Sequence, residues 1–225
     1  GGLSSLIAST KKNEIVNLKL TGDLNALDIR FVNEMKKLEI LDLSKANFVF
    51  SSGEYYNGTA PAAIGTVFKA NVISKWMFAK HDNYKSIIIP NTVFSIENTA
   101  FSFCGNLESV TFGDNLKSIT DDSDYYNDVF SACNALKNIY VSEKNTTYTS
   151  IDGVLFSQDK KKLLFYPPSH ASSYIIPETV EELGYNSMPL GTCRVLVIPE
   201  SVKTFASQVV PSGNNITKIY IQNPI

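Results

Sequence analysis

The sequence predicts a single β-rich solenoid, in which short coils stack along one axis and contribute strands to one parallel sheet. Three observations support this prediction. A pattern of apolar residues returns at a fixed interval, each repeat contains the alternation typical of a strand, and proline recurs directly after the predicted strands. Short helical or 3₁₀ turns are expected to complete each coil.

The apolar pattern repeats every 23 residues in the first half of the chain. Its starting positions there are Ile15, Leu38, Pro61, Tyr84 and Leu107. Repetition at a fixed interval in this range is the signature of a repeat architecture. After insertions and small changes of spacing, the pattern resumes at Leu136, Ala171, Cys193 and Ile216. Each repeat is therefore predicted to be one coil.

Each coil is predicted to begin with a strand. In the best-defined repeat, Ile87 and Ile89 are two residues apart, so both side chains point to the same face of an extended chain. Pro90 follows and lacks the N–H donor that a sheet interior needs. Pro177 and Pro199 occupy the same position in later repeats. These prolines are expected to end the strands and to turn the chain.

Two further inward faces complete the predicted coil. In the same repeat, Val93 and Ile96 supply the second face, and Ala100 with Phe101 supply the third through a short helical or 3₁₀ turn. One coil cannot bury three apolar faces alone, so neighbouring coils must stack on one another.

The solenoid is expected to occupy the whole chain, residues 1–225. We predict an N-terminal cap over 1–14, coils over 15–141, a hairpin insertion over 142–170, and further coils with a C-terminal cap over 171–225. Insertions between coils map to loops or hairpins on one face of a solenoid.

The residues Ile96 to Phe112 follow the pattern I-x-x-x-A-F-x-x-C-x-x-L-x-x-V-x-F. This pattern resembles the BspA-like leucine-rich repeat of surface proteins from Bacteroidetes and some mucosal parasites. The inserted segment Tyr148 to Phe156 also resembles a hairpin of that family. The resemblance covers nearly the whole chain, and it is weaker over the first 80 residues. It implies a right-handed leucine-rich-repeat solenoid, without catalytic activity, that adheres to host matrix protein, other bacteria or glycans.

Composition excludes several classes of partner. The chain has 20 Lys and Arg against 22 Asp and Glu, a formal net charge of −2, so no overall field attracts nucleic acid or anionic lipid. No apolar run reaches the roughly 18 residues of a membrane-spanning helix. We expect an extracellular or cell-surface protein whose export signal has been removed. The sequence indicates no oligomeric state.

Few residues suit catalysis or cofactor binding. His81 and His170 are the only histidines, and each is predicted to be structural or in a loop. Glycine-rich phosphate loops and the common metalloprotease and serine-hydrolase motifs are absent from the sequence. We therefore predict no catalytic residue, no cofactor and no metal site.

Cys104 and Cys133 occupy the same position in consecutive coils, so they are expected to lie near each other. Buried, reduced thiols are the favoured interpretation, because cysteine is a compact core residue. A disulfide is the alternative. Cys193 stands at a leucine position and is also expected in the core.

Outward strand positions form the predicted binding surface. They include Ile88, Thr111, Tyr140, Ile175, Val197 and Tyr220. An apolar patch on the sheet of a solenoid marks a partner site, although β-branched residues also favour strands without any such role.

The loop Asp121 to Asp128 is a second candidate surface, with Tyr125 and Tyr126 as contact residues for protein or sugar. Its carboxylates are predicted to be solvated, with calcium binding as the alternative.

The sequence is compatible with three functions. The favoured one is a recognition scaffold for a host or microbial surface protein or glycan. A right-handed β-helix enzyme acting on polysaccharide would need charged residues to recur on the outward strand face. That face carries only Lys19, Asp42 and Lys218 as charged residues. A structural spacer without a ligand would need a polar sheet face.

Overall fold

A computed structural model of the protein describes residues 2–55, 68–119 and 129–222. Its helices are α1 (Leu3–Leu6), α2 (Ser9–Lys12) and α3 (Ala26–Asn33). Its strands are β1 (Asn17–Leu24), β2 (Ile40–Phe48), β3 (Val72–Ile73), β4 (Ser86–Ile88), β5 (Ser95–Ile96), β6 (Ser109–Phe112), β7 (Ser118–Ile119), β8 (Asn138–Val141), β9 (Tyr148–Ile151), β10 (Val154–Ser157), β11 (Lys162–Phe165), β12 (Ser173–Ile175), β13 (Glu182–Leu183), β14 (Val195–Ile198), β15 (Thr204–Phe205) and β16 (Lys218–Ile221).

The predicted stacking of coils is confirmed. Strands β1, β2, β4, β6 and β8 pair in that order, in parallel, to form what we name the N-terminal sheet. Equivalent inward residues are Cα partners across this sheet, and they are Leu18, Leu41, Ile87, Val110 and Ile139. Strands β12, β14 and β16 form a separate parallel C-terminal sheet. The predicted single sheet is thus divided, because the hairpin insertion lies between β8 and β12.

The order of strands in the N-terminal sheet departs from the even 23-residue repeat. Strand β2 pairs directly with β4, and Ile40 is the Cα partner of Ser86, 46 residues later. Pro61 itself lies outside the described residues. The apolar pair that starts a coil is incomplete here, because Thr66 holds the second position. The apolar pattern of the repeat resumes at Ile73, which pairs with Ile96 in a small sheet of β3, β5 and β7.

The turns after β3 and β5 differ from the predicted 3₁₀ turns. They place non-glycine residues in the left-handed region, with φ of 61° at Lys80 and 62° at Phe103. The backbone N–H groups of these two residues donate to the next coil, to the carbonyls of Ser102 and Ser131 at 2.9 and 2.7 Å. Hydrogen bonds between coils therefore compensate for the strain of a left-handed backbone.

A ladder of phenylalanine rings runs through the third inward face. The rings of Phe78, Phe101, Phe130 and Phe165 follow one another with centroid distances of 5.5, 5.5 and 5.6 Å. All four side chains are buried. Aromatic pairs at these distances stabilise a core beyond the area that they bury. The ladder joins three successive coils to the hairpin insertion.

The cysteines form part of the same stacking. The Sγ atoms of Cys104 and Cys133 donate to the carbonyls of Phe78 and Phe101, one coil earlier, at 2.9 and 3.0 Å. Both are free thiols, as is Cys193, and all three are buried. The prediction of reduced, buried cysteines is confirmed. Burial raises the pKa of Cys104 to about 12 and also raises the pKa of Cys133.

The hairpin strands β10 and β11 connect two apolar cores. Leu155 and Phe165 pack into the core of the N-terminal coils. Val154, next to Leu155, and Leu163, two residues before Phe165, pack into the core of the C-terminal coils. Alternation of side chains explains this division in β10. In β11 the division does not follow simple alternation, and the pairing of β10 with β11 contains a register shift.

Asn145 fixes the start of this insertion. Its side chain is buried, and its Nδ2 donates to the carbonyls of Gly113 and Leu116 at 2.9 and 3.0 Å. Its Oδ1 accepts from the N–H groups of Thr147 and Tyr148 at 2.9 and 2.8 Å. One side chain therefore joins the preceding coil to the first strand of the hairpin.

The two ends of the solenoid differ. At the N-terminal end, Asn25 caps α3, and Asp28 Oδ1 accepts from the N–H of Leu3 at 3.0 Å, which ties α1 to α3. At the other end, all four residues of β16 are exposed.

We expect the substitution Phe130→Ala to lower the free energy of unfolding by about 3–5 kcal/mol, because it leaves a cavity within the ring ladder. Phe103→Ala is the matched control, since the Phe103 side chain is about half exposed (49%), and it should lower the free energy of unfolding by about 1 kcal/mol or less. Urea unfolding of both variants measures the difference. Equal losses would contradict the ladder.

The three thiols should not react with a colourimetric thiol reagent while the protein is folded. At pH 8, a thiol with a pKa of about 12 is thiolate in roughly one molecule in ten thousand, and burial also excludes the reagent. All three should react within seconds in guanidinium chloride. Rapid labelling of the folded protein would contradict this packing.

Candidate functional site

The predicted outward strand residues fall in two aligned rows, which we name the outward rows. In the N-terminal sheet, Ile88, Thr111 and Tyr140 are successive Cα partners. The C-terminal sheet aligns a second set, namely Ile175, Val197 and Tyr220. Neighbouring parallel strands lie about 4.8 Å apart, so each row presents adjacent side chains on one face.

Exposure within the rows is uneven. Tyr140, Ile175 and Tyr220 are 47%, 70% and 54% exposed. The other three residues of the rows are partly buried between their neighbours. The first row therefore ends at an exposed side chain, Tyr140, and the second begins and ends at exposed side chains, Ile175 and Tyr220. The partly buried residues of each row lie beside these exposed ones.

An ion pair continues the first row toward the N-terminus. Asp42 is the Cα partner of Ile88, and Lys19 Nζ lies 2.6 Å from Asp42 Oδ2. Burial acts to raise the pKa of Asp42, but hydrogen bonds from Lys19 and Ser44 outweigh it and hold that pKa below its ordinary value. The two charges neutralise each other, so the apolar residues remain the distinctive part of the row.

The turn of the hairpin, Asp152 and Gly153, lies against the end of β8. Gly153 has a φ of +83°, and its carbonyl accepts from the N–H of Ile139 at 2.8 Å. A Cβ atom at Gly153 would stand 2.3 Å from the Oδ1 of Asn138, so only glycine fits this approach. The outward surface is thus two patches separated by the hairpin, whereas the sequence predicts one continuous stripe.

The other predicted surface, Tyr125 and Tyr126 in the acidic loop Asp121 to Asp128, lies outside the described residues. The structure adds an aromatic pair that the sequence pattern does not indicate. The rings of Trp76 and Phe103 are parallel, with centroids 6.4 Å apart, and Lys80 Nζ lies 5.7 Å from the Trp76 ring. These residues hold different positions in the repeat, so only the left-handed turns bring them together.

Both histidines pack against tyrosine. The ring of His81 lies 5.1 Å from that of Tyr84, and the ring of His170 lies 5.2 Å from that of Tyr166. His170 Nδ1 is 2.9 Å from the carbonyl of Lys137. Burial lowers the pKa of His81 to about 4, although the charge of Asp82 acts in the opposite direction.

Among the described residues, no group of three or more His, Cys, Asp and Glu side chains is placed to hold a metal ion. In the same part of the chain, no helix has both the length and the apolar character needed to cross a bilayer.

His81 should make the folded protein less stable in mild acid. Its pKa is about 4 in the folded state and about 6.5 in the unfolded chain, so between these values the unfolded chain binds the extra proton. The stabilisation is complete above pH 6.5 and is lost as the pH falls toward 4, by up to about 3 kcal/mol. We expect His81→Gln to remove this part of the pH dependence in unfolding measurements at pH 4–8. Identical pH profiles for the two proteins would exclude this role.

Comparison with known proteins agrees with the geometry. Residues 64–169 match the model of the BspA type leucine rich repeat region, in six copies. No curated protein matches the chain.

Two solved structures share the fold. The pneumococcal vaccine antigen PcpA is 19% identical, with a TM-score of 0.50, and the match covers 92% of this chain and 51% of that one. A leucine rich cell surface protein from Faecalibacterium prausnitzii A2-165 is 17% identical, with a TM-score of 0.52, and the match covers 89% and 60%. This chain therefore spans about half to three fifths of the length of these two proteins. The matched repeats show that residues 64–169 are a leucine-rich-repeat region of the BspA type, and the shared stacking of coils shows that the chain has the fold of these two solved structures.

Proposed function

We propose that this protein is a non-catalytic recognition scaffold, secreted or displayed on a cell surface, which binds a protein or glycan partner through its outward rows. The observation that carries the proposal is the exposure of Tyr140 in the row of the N-terminal sheet and of Ile175 and Tyr220 in the row of the C-terminal sheet. Tyrosine presents a large contact area and a hydroxyl with few rotatable bonds, and it is enriched at interfaces.

The comparisons support the surface location. One of the structural neighbours is described as a cell surface protein and another as a vaccine antigen. At 17% and 19% identity they share the fold with this chain, so their partners are not carried over.

The charge distribution favours binding over polysaccharide cleavage. A β-helix enzyme would need charged side chains at equivalent outward positions of several neighbouring coils. At the outward strand positions of the described repeats, the charged residues are the ion pair of Lys19 with Asp42 at one end and Lys218 on the last strand. A structural spacer would need a polar sheet face, whereas Ile175 and Ile40 are exposed.

The test is a binding screen of the folded chain against a glycan array and purified extracellular-matrix proteins. For any partner that binds, we expect Tyr140→Ala/Tyr220→Ala to raise the dissociation constant at least about tenfold, which corresponds to 1.4 kcal/mol. Tyr185→Ala is the matched control, because Tyr185 lies outside both rows and bonds to Gln208. It should leave binding unchanged within about twofold.

The loop pair Tyr125→Ala/Tyr126→Ala tests the other predicted surface in the same assay. A partner whose affinity falls only with the loop pair would move the site to that loop. A partner that no variant weakens would rule out both surfaces, and turnover of a polysaccharide would favour the enzyme.

A further inference from the structure

We propose that a groove on the turn side of the solenoid, where the hairpin insertion meets the last coils, binds an extended acidic segment of a partner protein. We name it the junction groove. It has an apolar lobe and a polar lobe that share Asn134, Pro168 and Leu190 as a common wall. None of its residues belongs to the outward rows, so this site goes beyond the proposed function.

The turn after Phe165 differs in backbone conformation from the turns of the earlier coils, because it contains a proline. Two residues after the ladder phenylalanine, the earlier coils have Phe103 and Ala132, both left-handed with φ of 62° and 58°. The hairpin coil has Pro167 at the equivalent position, two residues after Phe165. Proline fixes φ near −65°, so it cannot form the left-handed turn that these earlier coils share. The groove lies between the turns of the coils on either side.

The apolar lobe has a volume of about 440 Å³. Phe130 and Phe165 line it, together with Pro168, Pro189 and Leu190. Leu190 is 53% exposed, although it is a large apolar side chain on a turn. Proline and phenylalanine surfaces offer dispersion contacts and no hydrogen-bond donors, so the lobe suits a leucine, proline or aromatic side chain.

The polar lobe has a volume of about 540 Å³ and is lined by Arg194, Ser169, Thr192 and Asn215 among others. Its lining includes no carboxylate. The side chains of Ser169, Thr192 and Asn215 donate to backbone carbonyls of the groove wall, at 2.8, 3.2 and 2.6 Å. These bonds hold the wall in place and use the hydroxyl donors of Ser169 and Thr192 and one of the two N–H donors of Asn215.

Arg194 is the charge that the groove offers to a ligand. It is exposed, and it takes part in no ion pair among the residues that the structure describes. A guanidinium binds a carboxylate through two parallel hydrogen bonds, which gives both affinity and orientation. Charge complementarity therefore favours a ligand that carries a carboxylate.

The common wall determines the form of the ligand. An apolar group and a carboxylate must enter two adjoining lobes together. Side chains two residues apart in an extended peptide lie on the same side, about 7 Å from each other. A segment with an apolar residue, any residue and then Asp or Glu satisfies both lobes at once. A sugar acid would place its hydroxyls against the phenylalanine, proline and leucine surfaces of the apolar lobe, where only Ser131, Asn134, Asn186 and Ser212 offer polar groups, so the groove favours the peptide.

The experiment uses the whole chain and an array of fluorescent seven-residue peptides. Each peptide has Leu, Pro or Phe at its third position and Glu at its fifth, in a background of Ser and Gly. Matched peptides carry Gln at the fifth position or Ser at the third. We expect the Glu peptides to bind at least about tenfold tighter than either matched set in fluorescence polarisation.

Variants of the chain assign that binding to the groove. Arg194→Ala should abolish the preference for Glu over Gln, and Arg194→Lys should restore only part of it, because lysine lacks the paired donors. Leu190→Ser should weaken binding of all peptides about tenfold. Lys203→Ala, at another exposed cation, is the control and should change nothing. Thermal melting verifies that each variant is folded.

Peptide binding that survives Tyr140→Ala/Tyr220→Ala separates this site from the outward rows. The inference is overturned if no Glu peptide binds, if the preference for Glu survives Arg194→Ala, or if only the outward-row variant weakens binding. It is also overturned if carboxylated glycans bind at Arg194 while the peptides do not.

Discussion

The stacking of apolar side chains from one coil onto the next is the interaction on which this structure depends. No coil of about 23 residues can bury three faces alone, so each face is completed by the equivalent residues of its neighbours. The inward row from Leu18 to Ile139 and the phenylalanine ladder both have this origin. Stacking also fixes where the outward side chains lie, because the side chains of a strand alternate between its faces. The arrangement of the outward surface therefore follows from the core.

The hairpin insertion is part of the stack of coils and does not project from its surface. Its strands β10 and β11 are buried on both sides, and Phe165 extends the ladder that begins at Phe78. The same insertion divides the parallel sheet and leaves two exposed patches in place of one. Pro167 cannot take the left-handed turn of the earlier coils, and the junction groove lies beside this changed turn. The insertion therefore separates the two outward patches and supplies part of the wall of the junction groove.

Much of the fold can be predicted from the sequence, because each coil is defined by the spacing of apolar residues within about 23 residues of chain. The positions of Ile87, Val110 and Ile139 in one row follow from the interval and from the alternation of a strand. The direct pairing of β2 with β4 does not follow from the interval, because an even 23-residue repeat predicts one more strand between them. The left-handed turns were also missed, since Lys80 and Phe103 are residues that rarely take a positive φ. For the candidate sites, the strand alternation predicts that the outward residues align, and their role in binding stays a prediction. Arg194 and Leu190 meet Pro168 only through tertiary structure.

Disulfide trapping tests the register of the coils most directly, at the point where it departs from an even repeat. In the structure, Ile40 and Ser86 are Cα partners, whereas Ser86 and Asn138 are separated by Ser109 and lie two strands apart. Adjacent strands place Cα atoms within the 4.4–6.8 Å that a disulfide needs, and strands two apart do not. We expect Ile40→Cys/Ser86→Cys to form a disulfide readily under mild oxidation and Ser86→Cys/Asn138→Cys to remain reduced. A disulfide in the second pair and none in the first would contradict the stacking described for this protein.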